Sequence, residues 1–233
     1  MKKIFYIIAL CCLFTACDKT ENEEMLENLF IGQPQGYLTE YESMVPSTSI
    51  YCQEFSDPDN CSGWSIGENE YATYNIENGQ YVIQAKKGFY NWKDFDVSEN
   101  RDFQIEVYMA CNFMLGGTSS GLVFGVNKTK GSYGTIRFDD SVPFYIGFYN
   151  GSKWEAWLNI KTALYTETAY RNAIHLYTIR KVEDKISFFL DKKLLHSTIY
   201  TGDLNNIGFS HSKKGMIIVD YVRVDYIEAV NEE

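Results

Sequence analysis

No apolar run in this sequence is long enough to cross a bilayer as a helix. The longest, Ile4 to Phe14, has 11 residues, and a spanning helix needs about 20. Positive charge is also short: 21 lysines and arginines stand against 31 acidic residues, a formal balance of −10. That excludes the basic footprint a nucleic-acid partner requires. The three histidines, His175, His196 and His211, are scattered singly, without the spacing of a metal-binding set. Amphipathic helical periodicity is nearly missing, which leaves an all-β chain as the fold class.

The N-terminus is organised. Lys2 and Lys3 precede the apolar run, and the small residues Thr15 and Ala16 stand directly before Cys17, the layout of a secretory signal. Leu13-Phe14-Thr15-Ala16-Cys17 resembles the lipobox of bacterial lipoproteins, with Phe14 where that family usually has an aliphatic residue. The resemblance implies removal of residues 1–16 and lipidation of Cys17. Two or more acyl chains hold a protein stably on a membrane, at about 0.8 kcal/mol per buried methylene. The alternative is ordinary cleavage after Ala16 with no lipid. The following Asp18–Glu24 stretch resembles the acidic signal that sends Bacteroidota lipoproteins to the cell-surface side of the outer membrane; a solvated acidic tether is the other reading.

Removing residues 1–16 takes two lysines and no acid, leaving 217 residues at a formal balance of −12, a size that suits one all-β domain. Cys52, Cys61 and Cys111 then remain in an oxidising compartment. Cys52 and Cys61 flank the turn-rich Ser56–Asn60, and a disulfide or two free thiols both fit. Residues 17–49 are acidic and polar, broken by Pro34, Gly36 and Pro46, and read as a tether. From Ile50 to the end at 233, short runs of Tyr, Phe, Ile, Val and Thr alternate with Gly, Asn, Asp and Ser clusters, the texture of a β-sandwich.

Period-two alternation predicts strands over 71–76, 81–85, 102–110, 120–126, 133–138, 144–149, 154–159, 174–180, 186–190, 207–211 and 216–226. The clearest is 102–110, where Phe103, Ile105, Val107 and Met109 share one side and Gln104, Glu106 and Tyr108 the other. Asn78-Gly79, Asn150-Gly151, Asp191-Lys192 and Lys214-Gly215 supply the hairpin turns.

Four stretches carry a family likeness: Glu54-Phe55 with Trp64, Asn78-Gly79-Gln80-Tyr81-Val82-Ile83, Asp102-Phe103-Gln104-Ile105-Glu106-Val107, and Val219-Asp220-Tyr221-Val222-Arg223-Val224. Together they resemble the concanavalin A-like lectin/glucanase jelly rolls, including family 16 glycoside hydrolases and 3-keto-disaccharide hydrolase-like domains. The resemblance implies a two-sheet jelly-roll sandwich. It also implies one structural Ca²⁺ with Asp220 as the carboxylate ligand and carbonyls near Glu54 and Gly79; the plain alternative is an Asp capping a strand end. Mixed carboxylate and carbonyl oxygens suit that hard cation.

Retaining hydrolases of this fold place Glu-x-Asp-x-x-Glu on one strand, so that two carboxylates share a face about 5 Å apart. The nearest match, Asp94-Phe95-Asp96-Val97-Ser98-Glu99, lacks the first glutamate and runs into a turn. Gly117-Thr118-Ser119-Ser120-Gly121 fits a nucleophile elbow only as a string, because strand-like residues follow it where a helix is required. Asp57-Pro58-Asp59-Asn60 begins like a calcium loop but has Ser62 in place of the turn glycine. Asp140-Ser141-Val142 resembles a short O-glycosylation site of exported Bacteroidota proteins.

Alternation also nominates a ligand face. Arg137 with Tyr133 and Thr135, Tyr145 with Tyr149, and Glu155 with Trp157 and Asn159 each fall on the side away from the apolar residues of their strands. If these strands are neighbours, Arg137, Tyr145, Tyr149, Glu155 and Trp157 form one aromatic and polar surface, with Trp92 at its rim. Sugars suit such a surface, since C–H faces stack on rings and hydroxyls bond charged groups; plain packing is the other reading. The function expected is capture of a polysaccharide or oligosaccharide by a non-catalytic, surface-anchored lipoprotein, accessory to outer-membrane importer components. The alternatives are a glycoside hydrolase using Glu106, Asp94 or Asp96, and a structural protein that binds another surface protein through Cys111 or an exposed aromatic patch.

Overall fold

The computed structural model describes residues 37–57, 61–98, 100–112, 119–139, 144–160 and 172–230. Cys17, the signal segment and the acidic stretch after it lie outside the described residues, as do Asp140–Val142. A single helix, α1 (Tyr37–Glu42), precedes the strands β1 (Met44–Gln53), β2 (Gly67–Glu68), β3 (Ala72–Glu77), β4 (Gln80–Ala85), β5 (Phe89–Asp94), β6 (Phe103–Asn112), β7 (Ser119–Asn127) and β8 (Ser132–Asp139). They are followed by β9 (Phe144–Tyr149), β10 (Trp154–Ile160), β11 (Ile174–Val182), β12 (Lys185–Leu190), β13 (Lys193–Ile199), β14 (Asn206–His211) and β15 (Gly215–Ala229). No helix among the described residues is long and apolar enough to cross a membrane.

The strands form two antiparallel sheets. One runs β13-β12-β11-β6-β15-β4-β3-β2 with β1 also paired to β15, and the other runs β10-β9-β8-β7-β14-β5. Every strand expected from alternation is present, and three of the four expected turns close hairpins; Lys214-Gly215 instead carries the chain from β14 in one sheet to β15 in the other. Asn78 and Gly79 take φ of 54° and 77°, and Asp191 and Lys192 take 50° and 67°, the left-handed pairs that let two-residue hairpins follow strand twist. Phe103, Ile105, Val107, Met109 and Cys111 of β6 point inward with Tyr81, Ile83, Val222 and Val224. They meet Phe124, Ile136, Phe138, Phe144 and Phe209 of the other sheet, all buried.

The sandwich begins earlier than alternation indicates. Residues 37–49, expected in the tether, form α1 and most of β1, and β1 pairs with residues 222–229 of β15. The strand is hard to see because Pro46-Ser47-Thr48-Ser49 has no apolar alternation. Its register shifts twice, between Pro46 and Thr48 and between Ser49 and Tyr51, so no period survives. No disulfide joins Cys52 to Cys61 in the structure, and Cys111 is buried in β6.

Helix α1 is clasped onto the outer face of the larger sheet by Arg180, which is 3% exposed. Its Nη1 donates to the Glu40 carbonyl at 2.7 Å and its Nη2 to the Tyr41 carbonyl at 3.0 Å. These are the carbonyls a helix end leaves without partners. Gln104 Oε1 accepts from Nε and Nη2 of the same guanidinium at 3.3 and 3.0 Å. Tyr41 Oη donates to Glu106 at 2.5 Å, and its ring meets Phe189 edge-on at 5.3 Å. Burial and the Glu106 carboxylate push the Tyr41 phenol well above its ordinary pKa, so it stays a donor.

Candidate functional site

Alternation in the smaller sheet sends its phenylalanines and isoleucines to the core and leaves the opposite face to other residues. Cross-strand partners point to the same side, so the register defines rows on that face. One row reads Tyr90, Ser210, Gly121, Arg137, Tyr145 and Asn159; the next reads Trp92, Gly208, Val123, Thr135, Gly147 and Ala156. A further row holds Tyr133, Tyr149 and Trp154. Small residues thus occupy the middle strands and large rings the flanks. A Cβ on Gly121 would run into the Ile136 carbonyl, and one on Gly208 into the Asn91 carbonyl, so the floor is held low by residues that have no side chain to spare.

Over this floor Tyr90 and Tyr133 stack with centroids 5.8 Å apart. Their strands are separated by β14 and β7, about 14 Å at ordinary strand spacing, so both side chains lean across. Trp92 stacks on Tyr90 at 5.6 Å, with Lys128 Nζ 4.9 Å above its ring. On the other flank Trp154 lies 5.4 Å from Tyr133, 5.3 Å from Tyr149 and 6.2 Å from Tyr145. The Arg137 guanidinium sits 4.9 Å from the Tyr145 centroid and 5.6 Å from that of Trp154, within cation–π range. Burial pushes the Tyr133 and Tyr145 phenols above their ordinary pKa while Arg137 opposes it, leaving both as protonated donors at neutral pH. The cavity here, about 610 Å³, is lined by Tyr90, Tyr133, Arg137, Ser119, Ser210 and Ser212 among others.

The structure therefore brings Arg137, Tyr145, Tyr149 and Trp92 onto one face. Trp157 and Glu155, expected beside them, are elsewhere. A bulge lies between Ala156 and Leu158, and the Trp157 ring turns inward to stack on Phe148 at 5.8 Å and to meet Phe188 and Tyr200 at 5.9 Å each. Glu155 is paired with inward-facing Phe148 and is solvent-exposed, bonded by Asn150 Nδ2 at 3.3 Å. Trp154 takes the place expected of Trp157. Its signal was present in the Asn150-Gly151 turn: the Lys153 carbonyl accepts from Asn150 N–H at 3.1 Å, which closes the hairpin with Trp154 opposite Tyr149.

No protein-family model matches the chain, and no curated protein matches it in sequence. Solved structures do match in shape. The catalytic domain of an endo-1,3-β-glucanase (laminarinase) from Thermotoga petrophila aligns at TM-score 0.55 and 16% identity, over 80% of this chain and 100% of that one. An endo-β-1,3-glucanase from Pyrococcus furiosus aligns at 0.53 and 14%, over 81% and 99%. A Bacillus subtilis protein of unknown function with a galectin-like fold aligns at 0.59 and 6%, over 80% and 100%. The fold is a concanavalin A-like jelly roll.

Within this concanavalin A-like frame the carboxylates considered for hydrolysis are dispersed. Asp94 ends the edge strand β5, Asp96 lies in the loop after it, and Glu99 is outside the described residues. Glu106 belongs to β6 in the other sheet, facing Tyr41. Ser119–Gly121 open β7, a strand where an elbow needs a helix, and Gly117 and Thr118 are outside the described residues. Asp220 sits at the β15 register shift between Val219 and Tyr221, where its Oδ1 accepts from Gln80 Nε2 at 3.4 Å. No group of three or more His, Cys, Asp or Glu suited to a metal occurs among the described residues. A Ca²⁺ at Asp220 would thus draw most of its oxygens from carbonyls.

Proposed function

We propose that the aromatic face of the smaller sheet binds the sugar rings of a polysaccharide or oligosaccharide. The observation that carries this is the ring array, Trp92, Tyr90, Tyr133, Tyr149, Tyr145 and Trp154, held around a floor of glycine, serine and threonine. Pyranose faces stack on such rings while the phenols, serine hydroxyls and Arg137 bond the sugar hydroxyls. The glucanase and galectin-like neighbours share the fold, and the fold alone does not assign an activity. Affinity gels and calorimetry against a glycan panel test the reading: retardation by at least one glycan is expected, and none at all would overturn it.

In the same reading the chain is a lipoprotein held at the cell surface by acylated Cys17, presenting captured glycan to outer-membrane importer components. Radiolabelled palmitate is expected to enter the wild-type chain and not Cys17→Ser; equal labelling rejects the anchor. Asp220 is assigned one structural Ca²⁺. Chelation by EGTA is then expected to lower the thermal midpoint of wild type and to leave Asp220→Asn unmoved, and identical melting with and without chelator removes the metal.

A further inference from the structure

The charge inside the cavity runs against that of the whole chain. The sequence carries 31 acidic residues against 21 basic ones, yet the described residues lining the cavity include no aspartate or glutamate. Arg137 is the one lining residue fully ionised at neutral pH. It stands centrally, opposite Gly121 on one side and Tyr145 on the other.

The donors of this guanidinium are under-used. Its Nε is buried and has no hydrogen-bond partner. Its Nη2 is ion-paired with Asp139 Oδ2 at 3.7 Å, longer than a hydrogen bond, so Asp139, which is not among the lining residues, balances part of the charge without filling the N–H positions. The rings of Tyr145 and Trp154 hold the group without satisfying its N–H edge. A guanidinium is a planar fork of five donors that matches two oxygens of a carboxylate or sulfate, and a buried donor left without a partner is destabilising. Lys128 over Trp92 adds a second positive group toward the opposite flank.

Resting on the carbohydrate-binding reading, we infer that the ligand is an anionic glycan, and that Arg137 receives its oxyanion while the neighbouring rings stack on the sugar. Arg137 sets specificity and the aromatics supply most of the contact. The shared chemistry is an oxyanion on a sugar ring, which a uronate carboxylate and a sulfate ester both provide.

The test is affinity electrophoresis of the full mature chain on three groups of glycan. Polygalacturonate, alginate and hyaluronan carry carboxylates alone; chondroitin sulfate and carrageenan carry sulfate; laminarin, galactomannan and inulin are neutral. At least one anionic glycan is expected to retard the protein more than every neutral one, with the effect weakening as salt is added. Arg137→Gln is expected to reduce that affinity tenfold or more, with Arg137→Lys in between and the thermal midpoints unchanged. Methyl esterification abolishing the binding of a uronate glycan identifies the carboxylate, and binding confined to the sulfated group identifies the sulfate. Tighter binding of a neutral glycan that is lost in Trp154→Ala overturns this inference and leaves the carbohydrate-binding reading intact. Binding of an anionic glycan that Arg137→Gln does not weaken overturns the role of Arg137. No retardation on any glycan overturns both.

Discussion

Trp154→Ala and Trp157→Ala, three residues apart on one strand, are expected to fail in opposite ways. Trp154 is exposed on the ligand face at the meeting point of Tyr133, Tyr145 and Tyr149. Its removal deletes a stacking surface from one flank of the array, where an aromatic anchor contributes about 2 kcal/mol, or roughly thirtyfold in affinity. The fold loses little, since the ring is 42% exposed and its contacts lie on the sheet's outer face rather than in the core. Trp157 lies on the core side of the same strand against Phe148, Phe188 and Tyr200. Truncating it leaves a void costing about 3 kcal/mol, seen as a fall of about 6–12 °C in the thermal midpoint of a domain this size. Calorimetric titration and thermal melts on both variants separate the two roles. A Trp157→Ala protein that melts like wild type but no longer binds would put the ligand face on the wrong side of β10.

Arg180→Met is expected to destabilise the domain by about 3–5 kcal/mol, the usual effect of removing one partner from a buried ionic network. The Glu40 and Tyr41 carbonyls lose their donors, and Gln104 loses both bonds that orient it. Glu106 is left facing the Tyr41 hydroxyl with one of its two positive neighbours gone, Arg223 across the strand pair being the other. Urea titration reads the loss, and limited proteolysis reads its location, with new cleavage expected around residues 37–43. The double variant Arg180→Met/Glu106→Gln recovers part of the stability, because the half-buried carboxylate then no longer has to be balanced by Arg223 alone. A single-variant loss under about 1 kcal/mol would mean that α1 is held by the Tyr41–Glu106 bond, the Lys185–Glu40 pair and packing on Phe189, with Arg180 adding little. Glu106 thus has a structural task, which explains why a carboxylate on a well-formed strand resembles a catalytic one in sequence.

Most of the sandwich is legible in the amino acids because a half-buried strand advertises itself locally. Phe103 to Met109 alternate without error, and Asn78-Gly79 carries the left-handed backbone its hairpin needs. The same local rule places Arg137 beside Tyr133 and Tyr145 beside Tyr149 on one face. It fails for β1, whose polar residues join the sheet through pairing with a strand about 180 positions away, and for β13, an edge strand with an incomplete apolar pattern.

The all-β class, the strand positions, the signal layout at Cys17 and half of the aromatic face follow from periodicity and turn chemistry, which are properties of neighbouring residues. The exchange of Trp157 for Trp154 needed the folded chain, because one extra residue at a bulge reverses which side every later side chain faces, and nothing in Trp-Glu-Ala-Trp announces it. The stacking of Tyr90 on Tyr133 across two intervening strands, and the placing of Arg137 in a cavity whose described lining includes no acid, likewise depend on register between segments far apart in sequence. Backbone hydrogen bonding between distant strands sets that register, and the hydrophobic pattern of any one strand does not specify its partner.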